Sequence, residues 1–231
     1  GGAVISYAIS PTLPLGLNFN TTTGQISGTP TIASSTAFYT VTAMNSGGNA
    51  TFDVEITVND LAPSVLSYNS PNVFTIGSSI VALNPSVSGT VISYSIVPSL
   101  PSGLDFNSAT GQISGTPSVI SSSSIYTVTA TNSGGSTTFD LEITINDIAP
   151  SALSYTSPNV FIQGTTITSL FPSVLGTVIS YSIVPSLPAG LNFDTATGEI
   201  SGTSTAVSGA AIYTITATNS GGSTTFDVEI T

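Results

Sequence analysis

The stretch TNSGGSTTFDLEITI, residues 131–145, holds a turn followed by a strand, and it decides the fold. Apolar and polar residues alternate through FDLEITI (139–145), so its four apolar side chains share one face of a strand. Alternation with one polar side is typical of a half-buried antiparallel strand. The residues just upstream, IYTVTAT (125–131), alternate in the same way. The stretch therefore predicts a hairpin of two amphipathic strands.

The turn between these two strands is NSGG, residues 132–135. A tight hairpin turn requires positive φ angles, which glycine and asparagine adopt most readily. We expect Asn132, Gly134 and Gly135 to take this conformation, so the turn tolerates few other residues.

The same stretch recurs at a fixed pitch of 87 residues. The string TNSGGSTTFD fills residues 131–140 and again 218–227, and the variant MNSGGNATFD fills residues 44–53. Residues 91–144 match residues 178–231 at 40 of 54 positions. A unit of this size is large enough to be a small domain with its own core.

The boundaries between units are set by the runs VNDLAP and INDIAP, whose prolines stiffen the backbone and cannot donate to a strand ladder. Cutting there predicts module 1 (1–60), module 2 (61–147) and module 3 (148–231). Module 1 lacks counterparts of residues 65–85, so it is a partial module without its opening strands. We expect either that the chain was cut from a longer tandem array or that a neighbour fills this gap.

Within one module the sequence indicates only β-structure. VISYSIVP (91–98) and GQISGTP (111–117) have strand character, and Gly, Pro and Asn separate about seven short strands in fewer than 90 residues. This spacing is typical of a Greek-key sandwich. The predicted fold class is therefore all-β: tandem immunoglobulin-like Greek-key β-sandwiches arranged as a linear rod.

The composition removes several classes of function. The 231 residues include no Lys, Arg, His, Cys or Trp, and 11 acidic residues give a net charge of −11. Nucleic acids and anionic membranes are bound through cationic side chains, so neither is expected as a partner. Hydrophobic residues make up 40% of the chain, with 10 Phe and 8 Tyr, which favours a folded core over disorder.

Two segments carry a resemblance to a known family. LPAGLNFDTATGEISGT (187–203) and YTITATNSGGSTTFDVEIT (213–231) resemble the He-PIG-type immunoglobulin-like repeats found in tandem in giant bacterial surface adhesins. LNFDTATGEIS is also similar to the F-x-I-D-x-x-T-G-x-I stretch of cadherins. The resemblance implies a cadherin-like sandwich and a location outside the cell, but it is loose for function, because such repeats serve as stalks, adhesins, sugar-binding accessories and enzyme spacers.

The cadherin resemblance implies calcium at the joints. Cadherin joints carry D-x-N-D-x-x-P, and this chain keeps Asn59 with Asp60 and Asn146 with Asp147, each pair followed by a proline. The first Asp of that pattern is a threonine at both joints, and Ca²⁺ takes six to eight oxygen ligands, several of them carboxylates. The alternative is that these Asx side chains only cap the turn through local hydrogen bonds.

Catalysis is not expected. Each module contains an Asp-x-Glu pair, at residues 53 and 55, 140 and 142, and 227 and 229. The spacing of the two carboxylates is near that found in glycosidases. Because the pair is present in every module, we interpret these residues as solvent-facing charges that keep the strands soluble. The serine hydroxyls have no His, Lys or Cys to activate them. The recurring aromatic residues could form sugar platforms, although their spacing favours core packing. They are Tyr7, Tyr94, Tyr181, Phe19, Phe106 and Phe193.

The sequence thus favours a structural spacer of a long extracellular fibre or giant adhesin at the bacterial surface, whose partners are neighbouring repeats. Two alternatives stay open. Each module could bind a glycan weakly and act through avidity, or subunits could assemble into a homopolymeric fibre by strand addition.

Overall fold

A computed structural model describes residues 2–231, and every regular element in that range is a β-strand. The predicted fold class of all-β, immunoglobulin-like repeats is confirmed. No helix in the described range is long and apolar enough to cross a membrane.

Module 2 is the most complete of the three, with eight strands. They are β6 (Ser64–Ser67), β7 (Asn72–Thr75), β8 (Ser86–Ser88), β9 (Ser93–Val97), β10 (Leu104–Phe106), β11 (Ile113–Gly115), β12 (Ser121–Asn132) and β13 (Gly135–Asn146). One sheet has the order β7-β13-β12-β9. The opposite layer consists of the pairs β6-β8 and β10-β11, with a bridge between Leu83 and Ile113.

The predicted hairpin is present as β12 and β13, which pair antiparallel from Ser124 opposite Ile143 to Asn132 opposite Gly135. The other edge of β13 pairs with β7 in parallel, and this pairing was not predicted. Alternation within one strand cannot reveal it, because strand direction depends on a segment about 70 residues away in the chain.

Modules 1 and 3 repeat this arrangement with fewer strands. Module 1 contains β1 (Ser6–Ser10), β2 (Leu17–Phe19), β3 (Ile26–Gly28), β4 (Ser34–Asn45) and β5 (Gly48–Val58). Module 3 contains β14 (Ser151–Ser154), β15 (Ser173–Leu175), β16 (Ser180–Val184), β17 (Leu191–Phe193), β18 (Ile200–Gly202), β19 (Ala211–Asn219) and β20 (Gly222–Ile230). In module 3 a single parallel bridge from Asn159 to Ile230 takes the place of β7.

Modules 2 and 3 each have a separate hydrophobic core between their two layers. In module 2 the inward face of the hairpin is buried as the alternation predicts, except that Phe139 is only partly buried. The fully buried residues are Val128, Ala130, Leu141, Ile143 and Ile145. The facing layer contributes Leu66, Tyr68, Leu104 and Ile113. Each buried Val, Leu or Ile side chain contributes about 1.5–3 kcal/mol relative to an exposed one, so these residues hold the two layers together.

A buried tyrosine links the end of β6 to the loop before β11. The Tyr68 hydroxyl donates to the carbonyl oxygen of Gly111 at 2.6 Å, and the Tyr155 hydroxyl donates to that of Gly198 at 2.7 Å. Burial, with a smaller contribution from Tyr94, raises the pKa of Tyr68, so its hydroxyl stays protonated and remains a donor. This hydrogen bond holds the first strand of the module against the loop.

The prediction for the NSGG turn is only partly right. Gly135 has a φ of 145°, whereas Asn132 and Gly134 are not among the residues with positive φ. The glycine at position 134 is therefore not required by its backbone conformation.

The strand that opens modules 2 and 3 contains a strained residue. Val65 has a φ of 55° at the irregularity between Ser64 and Ser67, and its counterpart Ala152 has a φ of 53°. A β-branched residue is disfavoured in this left-handed region, at a cost of about 1–3 kcal/mol. Val65 is 75% exposed, so its side chain gains little from packing.

We therefore expect Val65→Asn to stabilise module 2 by about 1 kcal/mol, because asparagine adopts the left-handed region readily. Thermal unfolding measures the change. The matched control is Val73→Asn, at an exposed valine whose φ is not positive, where the same substitution is expected to destabilise because it removes a good strand residue. Destabilisation by Val65→Asn would show that the backbone at Val65 is not strained.

Candidate functional site

The recurring NSGG turn contacts the linker that arrives from the preceding module. At the first joint the buried Asn132 side chain is the centre of this contact: its Nδ2 donates to the carbonyl oxygens of Leu61 at 2.7 Å and Thr90 at 3.0 Å. Its Oδ1 accepts a hydrogen bond from the backbone N–H of Gly134 at 2.8 Å. One side chain thus shapes the turn and holds both the linker and the segment before β9. We call this arrangement of the turn and the bound linker the clasp.

A serine adds a second attachment within the clasp. The backbone N–H of Asp60 donates to Ser133 Oγ at 2.9 Å, and that hydroxyl donates to Asp60 Oδ2 at 3.3 Å. Each such hydrogen bond contributes about 0.5–1.5 kcal/mol net. The linker is therefore held at two consecutive residues, Asp60 and Leu61.

The linker backbone lies so close to the turn that the first glycine of the turn, Gly134, has no room for a side chain. A Cβ atom on Gly134 would lie 1.8 Å from the carbonyl oxygen of Asp60 and 2.8 Å from the backbone N of Ala62. A Cβ atom on Gly135 would lie 3.1 Å from the Cβ of Ala62. Gly134 is thus required because a larger residue would keep the linker away from the turn. The sequence analysis attributed this glycine to a positive φ, whereas the structure attributes it to lack of space.

The second joint has the same contacts. Asn219 Nδ2 donates to the carbonyl oxygens of Ile148 at 2.7 Å and Thr177 at 3.0 Å, and the N–H of Asp147 donates to Ser220 Oγ at 2.9 Å. A Cβ atom on Gly221 would lie 2.0 Å from the carbonyl oxygen of Asp147. Both joints therefore share the asparagine, serine and glycine contacts, at positions 87 residues apart.

The two joints lie at opposite ends of module 2. The clasp that receives the first linker is the turn before Gly135, and the second linker follows Asn146, the last residue of β13. A strand of 12 residues spans about 40 Å at a rise of about 3.3 Å per residue. The chain therefore enters the module at one end of its longest strand and leaves it at the other.

The four predicted calcium ligands do not come together as a cage. Asp147 accepts hydrogen bonds from the N–H of Ile148 at Oδ1 and from the Thr177 hydroxyl at Oδ2, and Asp60 accepts one from Ser133. Only the contact of Asp147 with Ile148 is local, as the turn-capping alternative predicts; the other two join the linker to distant segments. Among residues 2–231, no group of three or more His, Cys, Asp or Glu side chains is placed to hold a metal ion. With one carboxylate per joint, Asn59, Asn146, backbone carbonyls and water would have to supply the remaining oxygens.

Calcium at the joints stays a prediction. Such a small donor set implies weak binding, in the range of about 10⁻⁴–10⁻³ M found for extracellular modules. If calcium binds, thermal unfolding in millimolar calcium should occur at a higher temperature than in EDTA, and Asp60→Asn with Asp147→Asn should remove the difference. Asp105→Asn, away from both joints, is the control. An equal shift in all variants would point to a general salt effect instead.

The Asp-x-Glu pairs lie on the solvent-facing side of the hairpins. Each Asp accepts a hydrogen bond from the threonine directly opposite on the neighbouring strand: Asp53 from Thr40 at 2.6 Å, Asp140 from Thr127 at 2.7 Å and Asp227 from Thr214 at 2.7 Å. Cross-strand pairs of this kind stabilise a sheet. This is a structural use of the carboxylates on an exposed surface.

The recurring aromatic residues lie mostly in the core. Tyr94 and Tyr181 are buried, and Phe106 and Phe193 pack against the cores of modules 2 and 3. Tyr7 and Phe19 are half-buried. These positions support the packing interpretation over an exposed sugar platform.

Sequence reasoning proposed linkers at the N-D-x-A-P runs but missed the clasp. Asn132, Ser133 and Gly134 were assigned to a hairpin turn alone, although they contact residues more than 70 positions away. A usable signal was present: NSGG and N-D-x-A-P recur with the same separation at both joints.

Comparisons with known proteins agree with this architecture. The "Serine-rich adhesin for platelets" of Staphylococcus aureus strain MSSA476 is 33% identical over 158 residues, covering 65% of this chain and 7% of that protein. The protein of the same name from strain MRSA252 is 32% identical over 158 residues, covering 65% of this chain and 12% of that protein. The chain thus spans only a small part of the length of these relatives.

A solved structure shows the same fold. Three consecutive immunoglobulin domains of titin, in an E-to-A variant, superpose with a TM-score of 0.50 at 13% identity, covering 98% of this chain and 86% of that chain. The sequence model of the He_PIG family, described as "Putative Ig domain", matches residues 1–59, 56–146 and 142–231. These matches span the chain from end to end, and with them the expected resemblance is confirmed: the chain belongs to the He_PIG family of immunoglobulin-like domains.

Proposed function

We propose that the modules are spacers of an extracellular fibre or stalk at a bacterial cell surface, which carry an adhesive tip away from the cell. The chain is a set of tandem immunoglobulin-like repeats related to a bacterial surface adhesin. A role in adhesion outside the cell follows from that relationship. The spacer role itself rests on the geometry of the joints.

The observation that carries this proposal is the position of the two joints. Linkers that enter and leave a module at opposite ends of its longest strand add nearly the full module length per repeat. The clasp then limits bending, because it fixes the linker through Asn132 and Ser133 rather than leaving it as a free tether. Reach and stiffness are the two properties a stalk requires.

The surface chemistry supports a passive role. The Asp of each carboxylate pair accepts a cross-strand hydrogen bond, and the chain has no Lys, Arg or His to serve as a cationic or basic partner. We therefore assign the modules no catalytic step. Their acidic surface keeps neighbouring fibres apart by charge repulsion.

Small-angle X-ray scattering on the full chain tests the spacer function. Modules of about 40 Å placed end to end give a radius of gyration of about 30 Å or more. A compact globule of the same length would have a radius of gyration of about 17 Å. A value near the compact one would overturn the proposal.

A glycan array separates the spacer from the weak glycan-binding alternative. The spacer account expects no reproducible binding of the full chain to any glycan. Binding that is saturable and competed by free sugar would favour the avidity alternative instead.

A further inference from the structure

The outer face of the sheet β7-β13-β12-β9 in module 2 is divided into a hydroxyl half and an apolar half. Near the NSGG turn, all side chains on this face are Ser or Thr; they are Ser93, Ser95, Thr129, Thr131, Ser136 and Thr138. Towards the other end of the same face lie Val73, Ile125 and Val97, each on a different strand. The apolar side chains are therefore grouped rather than scattered.

The strand register places these three apolar side chains along one diagonal of the face. Val97 lies opposite Thr127 of β12, two residues from Ile125, so Val97 and Ile125 are diagonal neighbours about 7–8 Å apart. Ile125 lies opposite Glu142 of β13. Val73 lies opposite the residue two positions beyond Glu142. We call Val73, Ile125 and Val97 the apolar stripe.

Module 3 carries the same stripe with identical residue types, at Val160, Ile212 and Val184. All six side chains of the two stripes are between 50% and 76% exposed. Strand propensity favours Val and Ile, but it does not explain why the other half of the face has only Ser and Thr. An exposed apolar group that polar residues border marks a binding surface.

The apolar stripe lies beside the carboxylate pair of the hairpin. Glu142 is on the diagonal itself, and Asp140 is two residues before it on the same side of β13. Hydroxyl groups hold both carboxylates in place: Thr127 donates to Asp140 at 2.7 Å, and Ser123 donates to Glu142. The chain has no Lys, Arg or His to neutralise them. The face thus offers apolar contact and negative charge side by side.

This combination selects the kind of partner. A second copy of this chain presents the same negative face, so two copies repel each other through it at neutral pH. A partner with cationic side chains is attracted by the carboxylates, and apolar side chains between its cationic ones can cover the stripe. Charge complementarity therefore favours a segment that is both cationic and apolar.

An amphipathic helix fits this face better than an amphipathic strand. Alternate side chains of a strand point to opposite sides, so the cationic side chains of such a strand would point away from the carboxylates. A helix has cationic side chains along both borders of its apolar side, and their long stems let the charged ends reach the surface that the helix contacts.

We propose that the outer sheet faces of modules 2 and 3 each bind a cationic amphipathic helix of another protein. Its apolar side contacts the stripe, and its Lys or Arg side chains pair with the two carboxylates. These carboxylates are Asp140 and Glu142 in module 2, and Asp227 and Glu229 in module 3. Exposed ion pairs contribute little affinity by themselves, so the apolar contact is essential. This inference goes beyond the spacer function and does not depend on it.

The test titrates the full chain with a labelled peptide of leucine and lysine, about 14 residues or four helical turns long, that has the apolar spacing of an amphipathic helix. Fluorescence anisotropy measures its affinity. A peptide of equal charge with serine in place of leucine should bind at least about tenfold more weakly, because only the charge attraction is left. In NMR spectra of the unsubstituted chain, the leucine peptide should shift the amide signals of Ile125, Thr127 and Asp140.

Paired substitutions locate the apolar contact. Ile125→Ser with Ile212→Ser removes the centre of both stripes and should weaken binding of the leucine peptide about tenfold. The matched control is Val81→Ser with Val207→Ser, which removes one exposed valine outside the sheets in each module. This control should leave the affinity unchanged.

A second pair of variants locates the charge contact. Glu142→Gln with Glu229→Gln should weaken binding severalfold. Asp105→Asn with Glu199→Gln removes the same charge away from the two faces and should have a smaller effect.

Three results overturn the proposal. They are no binding of the leucine peptide at high micromolar concentration, equal binding of the serine peptide, and equal effects of the face variants and their controls. The second and third results would assign binding to the net charge of the chain alone. None of these results affects the scattering test of the spacer function.

Discussion

Replacing Gly134 by alanine is expected to open the first joint. The new Cβ would lie 1.8 Å from the carbonyl oxygen of Asp60, which is backbone and cannot move without displacing the linker. The contacts of Leu61 with Asn132 and of Asp60 with Ser133 would then be lost. We expect a loss of about 1–3 kcal/mol from module 2 together with free bending between modules 1 and 2.

Spin-label distances across the joint measure this bending. The chain has no cysteine, so Ser10→Cys and Val97→Cys, both exposed and 87 residues apart, provide one label in each module. Gly134→Ala should broaden the distance distribution severalfold. The matched control is Gly47→Ala in the same turn of module 1, where the nearest atom to a new Cβ is Asn45 Oδ1 at 3.4 Å. Equal effects of the two substitutions would show that the clasp does not hold the linker.

Replacing Gly111 by alanine is expected to destabilise module 2 strongly. Gly111 has a φ of +74°, and a Cβ there would lie 2.8 Å from Tyr68 Oη and 2.9 Å from Pro85 and Tyr94. Backbone strain of about 1–2 kcal/mol therefore adds to overpacking of about 1–3 kcal/mol. The Tyr68 hydrogen bond to the Gly111 carbonyl would be disturbed as well.

Gly77→Ala separates the two contributions. Gly77 has nearly the same φ, +75°, but no atom outside its chain neighbours would lie within 4 Å of a Cβ at this position, so only the strain of about 1–2 kcal/mol is expected. Amide hydrogen exchange at Val128 and Leu141 reports the unfolding of module 2 alone. If Gly111→Ala lowers the free energy of unfolding by no more than Gly77→Ala does, Gly111 is not tightly packed.

The fold could be predicted from the sequence because its strongest signals are local. Alternation in FDLEITI indicated the buried face of β13, and Leu141, Ile143 and Ile145 are indeed fully buried. The parallel partner of β13 and the left-handed Val65 were missed, because the first depends on a distant segment and the second on an irregularity that no residue type announces.

The sequence predicts joints at the N-D-x-A-P runs, but it did not predict the contacts that hold them. The N-D-x-A-P runs mark the linkers, and their prolines, Pro63 and Pro150, are buried. What holds the linkers is the turn of the following module, and the glycine that permits this contact looks like any turn glycine in the sequence. The sequence cannot tell a glycine that is needed for its positive φ from one that is needed because its surroundings leave no room for a side chain. The close approach of Asp60 shows that Gly134 is of the second kind.

The central claim is that identical clasped joints set the modules end to end at a constant pitch. Spin-label distances test it most directly, using Ser10→Cys with Val97→Cys for the first joint and Val97→Cys with Val184→Cys for the second, three equivalent positions. The account predicts two narrow, coincident distributions centred at about 40 Å, the length of β13. Broad distributions, or two that differ clearly in their centres, would contradict it.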